Sequence, residues 1–368
     1  MRKFTYPHIG TLSLAIEGLL TGLGLDVVPP PPITKRTIDL GVLHAPEFAC
    51  FPLKISLGNF IEALEAGANT IIMAGGTGPC RFGFYWVVQR EILFDLGYDF
   101  EMIVLEPPQG QIKQVLDKAG ALYGKCSLGQ ALSALHTFWR KIKALDFLHA
   151  QSLVVRAREA EQGATSKAYE AGLLFLKEAR TPQEVQENLE RALTLLAKVP
   201  RDPAKDVLKI GLVGEVYMLL EPYANLQVEK ILGEMGVEVK RAVYLSDWIK
   251  EHVFLSSLYL PGGRSVKKAA APYLRHFVGG HGRDSLGETV RFAREGFDGV
   301  IHILPFTCTP EIVAQSILPE VSRREGIPYL SIPLDEQSGE AGFVTRLEAF
   351  VDMLRERRSG SKKKQLLK

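Results

Sequence analysis

Of the 368 residues only four are cysteine, at positions 50, 80, 126 and 308, and no two of them form a CxxC pair. A lone structural zinc usually takes such a local pair, so the spacing speaks against that kind of site. The chain has no GxxxxGK[ST] sequence, so it carries no Walker-type loop for hydrolysing a nucleoside triphosphate itself. It lacks an uninterrupted run of ~18 apolar residues, and its beginning, MRKFTYPHIG, has no cleavable hydrophobic region. A cytoplasmic protein with no membrane contact is therefore expected. Its formal charge is only +2, which favours neither nucleic acid nor an anionic membrane surface as a partner. In a reducing compartment the cysteines are not expected to form disulfides. Each is then a buried small hydrophobe, a reactive thiol or a metal ligand.

What is present is the composition of an ordinary globular protein, 46% hydrophobic and 23% charged, in a chain longer than one core comfortably serves. Apolar runs alternate with amphipathic stretches, which predicts layered α/β structure with mostly parallel sheets. The two halves also repeat one another. Ser56-Leu57-Gly58 opens a helical stretch that leads to the strand NTIIMAGG and Cys80; Ser285-Leu286-Gly287 opens another that leads to GVIHILPF and Cys308. The serine-to-cysteine separations are 24 and 23 residues. Two similar doubly wound, Rossmann-like lobes follow: 1–125, an N-terminal α/β lobe, and 206–355, a C-terminal one. Residues 126–205 read as a helical linking region, with Thr181 as N-cap and Pro182 at N1 of one helix. Residues 356–368 read as a basic, disordered tail.

Cys50 lies in HAPEFACFPLK, Cys80 in AGGTGPCRFG and Cys308 in LPFTCTPEI, each close to proline. Cys80 and Cys308 directly follow predicted strands, and the segment IDLGVLHAP before Cys50 also reads as a strand. The carboxyl ends of parallel strands face the crevice where ligands bind, so these thiols should stand at a loop edge. Proline and glycine stiffen such loops, and the neighbouring cations Lys54 and Arg81 favour the thiolate. Three distant loop cysteines fit an iron-sulfur cube with one iron free of protein sulfur, although clusters more often have four cysteine ligands. Burial as plain hydrophobes is the alternative. Cys126, in LYGKCSLGQAL, has no proline frame and no counterpart in the second half; it reads as structural, with a fourth-ligand role as the other option.

Other polar residues near the expected loops are weaker candidates. His281 and Ser285 sit in GGHGRDSLGE, a glycine-rich entry to a helix that reads either as a cleft lining or as a turn and cap. Glu215 and Glu221, in GEVYMLLEPYAN, are potential proton donors, or else the acidic start of a helix.

The motifs ACFPLKISLGNFIEALEAGAN, GGTGPCRFGFYWVVQREIL, GEVYMLLEPYANLQVEKILGEMGVEV, GGHGRDSLGE, GFDGVIHILPFTCTPEIVAQSILP and IPYLSIPLDEQSGEAGFVTRLEAFVDML resemble the 2-hydroxyacyl-CoA dehydratase and benzoyl-CoA reductase component family. The likeness is to its activase-associated branch, which is related to double-cubane cluster proteins. The resemblance implies a [4Fe-4S] cluster in the cleft between the lobes, on the cysteines that match Cys50, Cys80 and Cys308. It implies anaerobic metabolism and low-potential electron transfer from an ATP-hydrolysing activator of the actin/Hsp70 type. The electrons would pass to a substrate such as an acyl-CoA. A non-catalytic electron carrier or cluster scaffold is the alternative. A double-cubane [8Fe-9S] cluster would have to be shared between subunits, in a homodimer or a heterodimer with a paralogue.

Overall fold

In the computed structural model the described residues are 1–76, 79–106, 126–250 and 263–366. Residues 107–125, expected in the first lobe, and the end of the tail lie outside them. The first elements are β1 (Lys3–Thr5), α1 (Leu12–Gly22), β2 (Asp26–Val27), α2 (Lys35–His44), α3 (Phe51–Glu65), β3 (Thr70–Ala74), α4 (Tyr85–Asp95) and β4 (Glu101–Leu105). The strands form one parallel sheet in the order β2-β1-β3-β4. Three helices follow: α5 (Leu128–Arg156), α6 (Ala164–Glu178) and α7 (Pro182–Ala197). Thr181 Oγ1 accepts from the Glu184 amide at 3.2 Å, the cap expected for α7.

The remaining elements are β5 (Leu208–Gly214), α8 (Val216–Leu220), α9 (Val228–Glu234), β6 (Val237–Arg241), α10 (Leu245–Ile249), α11 (Arg264–Ala270), α12 (Gly282–Arg294), β7 (Gly299–Pro305), α13 (Thr309–Glu325), β8 (Tyr329–Leu334) and α14 (Glu340–Leu366). Their strands form a second parallel sheet, β6-β5-β7-β8, with the same order as the first when strands are matched by position. This is the duplication expected from the sequence, a pair of Rossmann-like α/β sheets. β7 is buried along its whole length, as a central parallel strand covered on both faces must be.

Packing divides the chain into two units. The first comprises Met1–Leu148, Ala171–Leu193 and Tyr244–Gly262; the second comprises His149–Glu170, Thr194–Val243 and Gly263–Lys368. The central helical residues are thus distributed between both units. In the second, His149 Nε2 lies 3.0 Å from Glu229, which also takes the Arg241 guanidinium through Nε at 3.0 Å. Burial opposes ionisation of Glu229, but Arg241 and His149 hold its carboxyl well below the usual range.

Two expectations are corrected. The segment before Cys50 is the helix α2, not a strand. Thr34 and Thr37 form a capping box, with the Thr34 amide donating to Thr37 Oγ1 at 3.0 Å, and this starts a helix that the short apolar pattern had masked. The basic C-terminal run continues the backbone of α14 to Leu366 instead of fraying from 356. Arg357 donates to the Gly326 carbonyl at 2.8 Å and Arg358 to the Val207 carbonyl at 2.9 Å, so these charges fasten the helix to the second unit.

Candidate functional site

In the first unit Cys50 is the N-cap of α3, with extended backbone (φ −68, ψ 150) and Pro52 in the first turn. It is buried, and its sulfur is hydrogen-bonded to the Tyr85 hydroxyl. Cys80 likewise precedes a helix start, a short 3-10 turn at Arg81–Phe84 that runs into α4. Arg81 Nη1 donates to the Phe48 carbonyl at 3.1 Å, which ties the Cys80 turn to the loop leading into Cys50. A Cβ on Gly83 would stand 2.4 Å from the Gly76 carbonyl oxygen, so only glycine lets the Cys80 loop close on its own base. Lys54 lies one turn into the helix that Cys50 caps and is 4% exposed, so its charge acts from inside the unit. Cys126 packs beside the small apolar cluster of Leu23, Ala131 and Ala134.

In the second unit the switch of strand order falls between β5 and β7, where α/β sheets place ligands at their carboxyl ends. Three helix starts meet this edge. Gly214 ends β5 at φ 142, and a Cβ there would lie 1.8 Å from the Ile303 carbonyl oxygen. The next residue, Glu215, donates its amide to Ile303 O at 3.1 Å and caps α8 by accepting from the Met218 amide at 3.0 Å. Cys308 is the N-cap of α13, with Pro310 in the first turn. Before it stands Thr307 at φ 71, a left-handed conformation that a β-branched residue adopts at a cost of about 1–3 kcal/mol. Gly282 approaches α13 so closely that a Cβ would lie 2.1 Å from Pro310 O. The helix starts capped by His281 and Cys308 are therefore packed side by side.

Behind Cys308 the same two helices are joined through a buried polar network. Glu311, in the first turn of α13, accepts from Ser285 Oγ at 2.9 Å and lies 2.9 Å from His302 Nε2. His302 Nδ1 is 2.9 Å from Ser331 Oγ, which accepts from Gln315 Nε2 at 3.0 Å. His302 thus bridges Glu311 on α13 and Ser331 on β8. Glu311 Oε1 is buried and has no hydrogen-bond partner. Burial of the Glu215 carboxyl pushes its pKa up to about 7 against the pull of the helix amides, and the Glu311 charge adds to the rise. Glu221 serves the following turn, its Oε1 accepting from the Tyr223 amide at 3.2 Å.

The fold thus brings Cys50, Cys80 and Arg81 together in the first unit and Glu215, His281, Ser285 and Cys308 in the second. Among the described residues no group of three or more His, Cys, Asp or Glu side chains is arranged to hold a metal ion. The cysteines nonetheless suit thiolate ligation: each stands at a helix start, where backbone amides favour negative charge on sulfur. Sequence reasoning missed Tyr85, Thr307, His302 and Glu311. For His302 a signal existed, since it is the lone ionisable residue in the apolar strand GVIHILP and burial obliges it to have a partner.

A family model described as 2-hydroxyglutaryl-CoA dehydratase, D-component, matches residues 288–354. The matched segment contains β7, the Cys308 turn, α13, β8 and most of the apolar face of α14. The match spans less than a fifth of the chain and is a likeness of this segment to that family. No curated protein matches it. Among the described residues, no helix is long and apolar enough to cross a membrane.

Proposed function

We propose, on the premise of that family match, that this chain is the reductive component of a 2-hydroxyacyl-CoA dehydratase-type system. In this reading Cys50, Cys80 and Cys308 hold a [4Fe-4S] cluster, and Cys126 does not. The observation that carries the reading is that the three cysteines singled out by position alone are the three that cap helices, while Cys126 packs against apolar side chains. Bound there, the cluster supplies one-electron chemistry at low potential. The chain's own residues contribute the amides at the helix starts, which stabilise negative charge, and the Tyr85 hydroxyl, which can donate to the Cys50 sulfur.

Electrons come in this reading from a separate ATP-hydrolysing activator of the actin/Hsp70 type and go to an acyl-CoA-like substrate. An exposed phenylalanine beside each cysteine turn supports a partner there. Phe48 is 74% exposed two residues before Cys50, Phe84 is 68% exposed four after Cys80, and Phe306 is 60% exposed two before Cys308. The test is anaerobic iron and sulfide analysis of the four Cys→Ser variants, followed by spectra of the loaded protein with activator, reductant, Mg²⁺ and ATP omitted in turn. Loss of iron in the variants at 50, 80 and 308, with most of it kept in Cys126→Ser, is expected. Full iron content in any of the first three removes that residue from the ligand set. Complete reduction without ATP and activator makes the chain an ordinary electron carrier.

A further inference from the structure

Neither of the cysteine turns that follow a strand is fixed by a cap of its own. Cys308 is the N-cap of α13 but its sulfur makes no cap bond, and its amide donates back to the Pro305 carbonyl at 3.0 Å. Cys80 stands in the same way before its 3-10 turn, and α4 beyond it also starts without a side-chain cap. Thr307 adds left-handed backbone before Cys308, and strain of that kind persists only where the surroundings hold it. In both units a hold is present behind the turn, where the helix after the cysteine meets a serine on the helix before the strand. In the first, Gln89 on α4 donates through Nε2 to Ser56 Oγ on α3 at 2.7 Å. In the second, Ser285 Oγ on α12 donates to Glu311 on α13 at 2.9 Å. The two serines are the first residues of the repeated Ser-Leu-Gly entries.

The hydroxyl hydrogens account for the different partners. Ser56 uses its hydrogen on the Pro52 carbonyl at 2.7 Å, so its partner has to donate, and an amide can. Ser285 keeps its hydrogen for its partner, which has to accept, and a carboxylate does. Ser56 and Ser285 are each 3% exposed and Gln89 and Glu311 are 0% exposed; Oε1 of Gln89 and Oε1 of Glu311 are both buried without a hydrogen-bond partner. Apolar side chains would fill these places without that penalty, which leaves orientation as what the polar pairs supply.

We propose that Ser56 with Gln89, and Ser285 with Glu311, are equivalent latches that position Cys80 and Cys308 for ligation. His302, whose Nε2 lies 2.9 Å from Glu311, belongs to the second latch and ties it to β7. That the two turns carry metal ligands rests on the cluster reading above, whereas the positioning of the thiols does not.

The latches are tested first in metal-free, full-length protein with its thiols reduced, by following the alkylation rate of each cysteine by mass spectrometry. Glu311→Ala should raise the rate at Cys308 about tenfold, the effect of one lost hydrogen bond on a local opening equilibrium, and leave Cys50 and Cys80 at their wild-type rates. Gln89→Ala should raise the rate at Cys80 and leave Cys308 unchanged. Glu311→Gln, whose amide oxygen can still accept from Ser285, should return Cys308 to the wild-type rate. Gln89→Glu should not rescue Cys80, because it sets a carboxylate against a hydroxyl whose hydrogen is already used. If Glu311→Ala fails to fold, Ser285→Ala removes the other half of the latch and should raise the rate at Cys308 alone. Rates that rise at all the cysteines together would mean that the pairs serve packing only, and overturn the proposal; so does an unchanged Cys308 rate in a folded Glu311→Ala or Ser285→Ala, or a wild-type Cys80 rate in Gln89→Glu. In cluster-loaded protein the alanine variants should release iron to a chelator faster than wild type, and Glu311→Gln should not; release indifferent to these substitutions overturns the role in ligation. Full iron content in Cys308→Ser contradicts the cluster reading instead, and leaves the alkylation rates to decide the latches.

Discussion

At Cys50 the sulfur meets the Tyr85 hydroxyl, and the sense of that bond depends on ionisation, since a phenol donates to a thiolate. Hydrogen bonds to charged groups contribute about 1.5–3 kcal/mol, and one pKa unit corresponds to about 1.4 kcal/mol. Tyr85→Phe is therefore expected to move the pH midpoint for alkylation of Cys50 in metal-free protein upward by about one unit. Alkylation of Cys126 should be unchanged. An unmoved Cys50 midpoint would show that the hydroxyl does not stabilise the thiolate. Nothing in the sequence pairs positions 50 and 85; only the packing of α3 against α4 does so.

At the scale of elements, the Cys50 cap is held by an unusually close helix crossing. A Cβ on Gly41 would lie 1.8 Å from the Lys54 carbonyl oxygen, and one on Gly58 would lie 1.8 Å from that of Thr37. Both contacts are with backbone, which cannot rotate away. Gly58→Ala should thus destabilise the protein by about 3 kcal/mol, read as a lower urea midpoint. The same substitution at Gly67, which faces open space but has φ 95, should cost only about 1 kcal/mol through backbone strain. Equal losses at the two positions would mean that the crossing is not the source. The sequence showed α3 correctly as a helix but not α2, because the box formed by Thr34 and Thr37 outweighs an apolar run too short to distinguish helix from strand.

For the whole molecule, Glu215 and Glu288 make stability depend on pH in a direction opposite to that of most carboxylates. Burial raises both from 4.5 to about 7, so the folded state binds protons that the unfolded state has released. Their contribution is fully present below about pH 4.5 and is lost as pH rises through about 7, by up to roughly 3 kcal/mol each. Urea unfolding of Glu215→Gln should accordingly lose less stability between pH 5 and 8 than wild type does. A parallel profile would show that Glu215 titrates normally. The comparison belongs to the metal-free protein, where no bound group alters the local charge.

The sequence by itself determined the class of fold, the duplication and the three cysteine turns. Each of these is written locally: alternating strand and helix periods, a repeated Ser-Leu-Gly entry, and cysteines next to proline after an apolar run. The identical strand orders of the two sheets follow from the same duplication. The sequence could not show that Lys54 would be buried, that Thr307 would take a left-handed conformation, or that His302, Glu311, Ser285 and Ser331 would converge. Those outcomes depend on which residues meet when α12 and α13 pack over β7 and β8, at separations of up to 46 positions along the chain. Local propensity specifies the elements, whereas a buried carboxylate acquires its partners, and so its affinity for a proton, only when the tertiary structure removes water from around it.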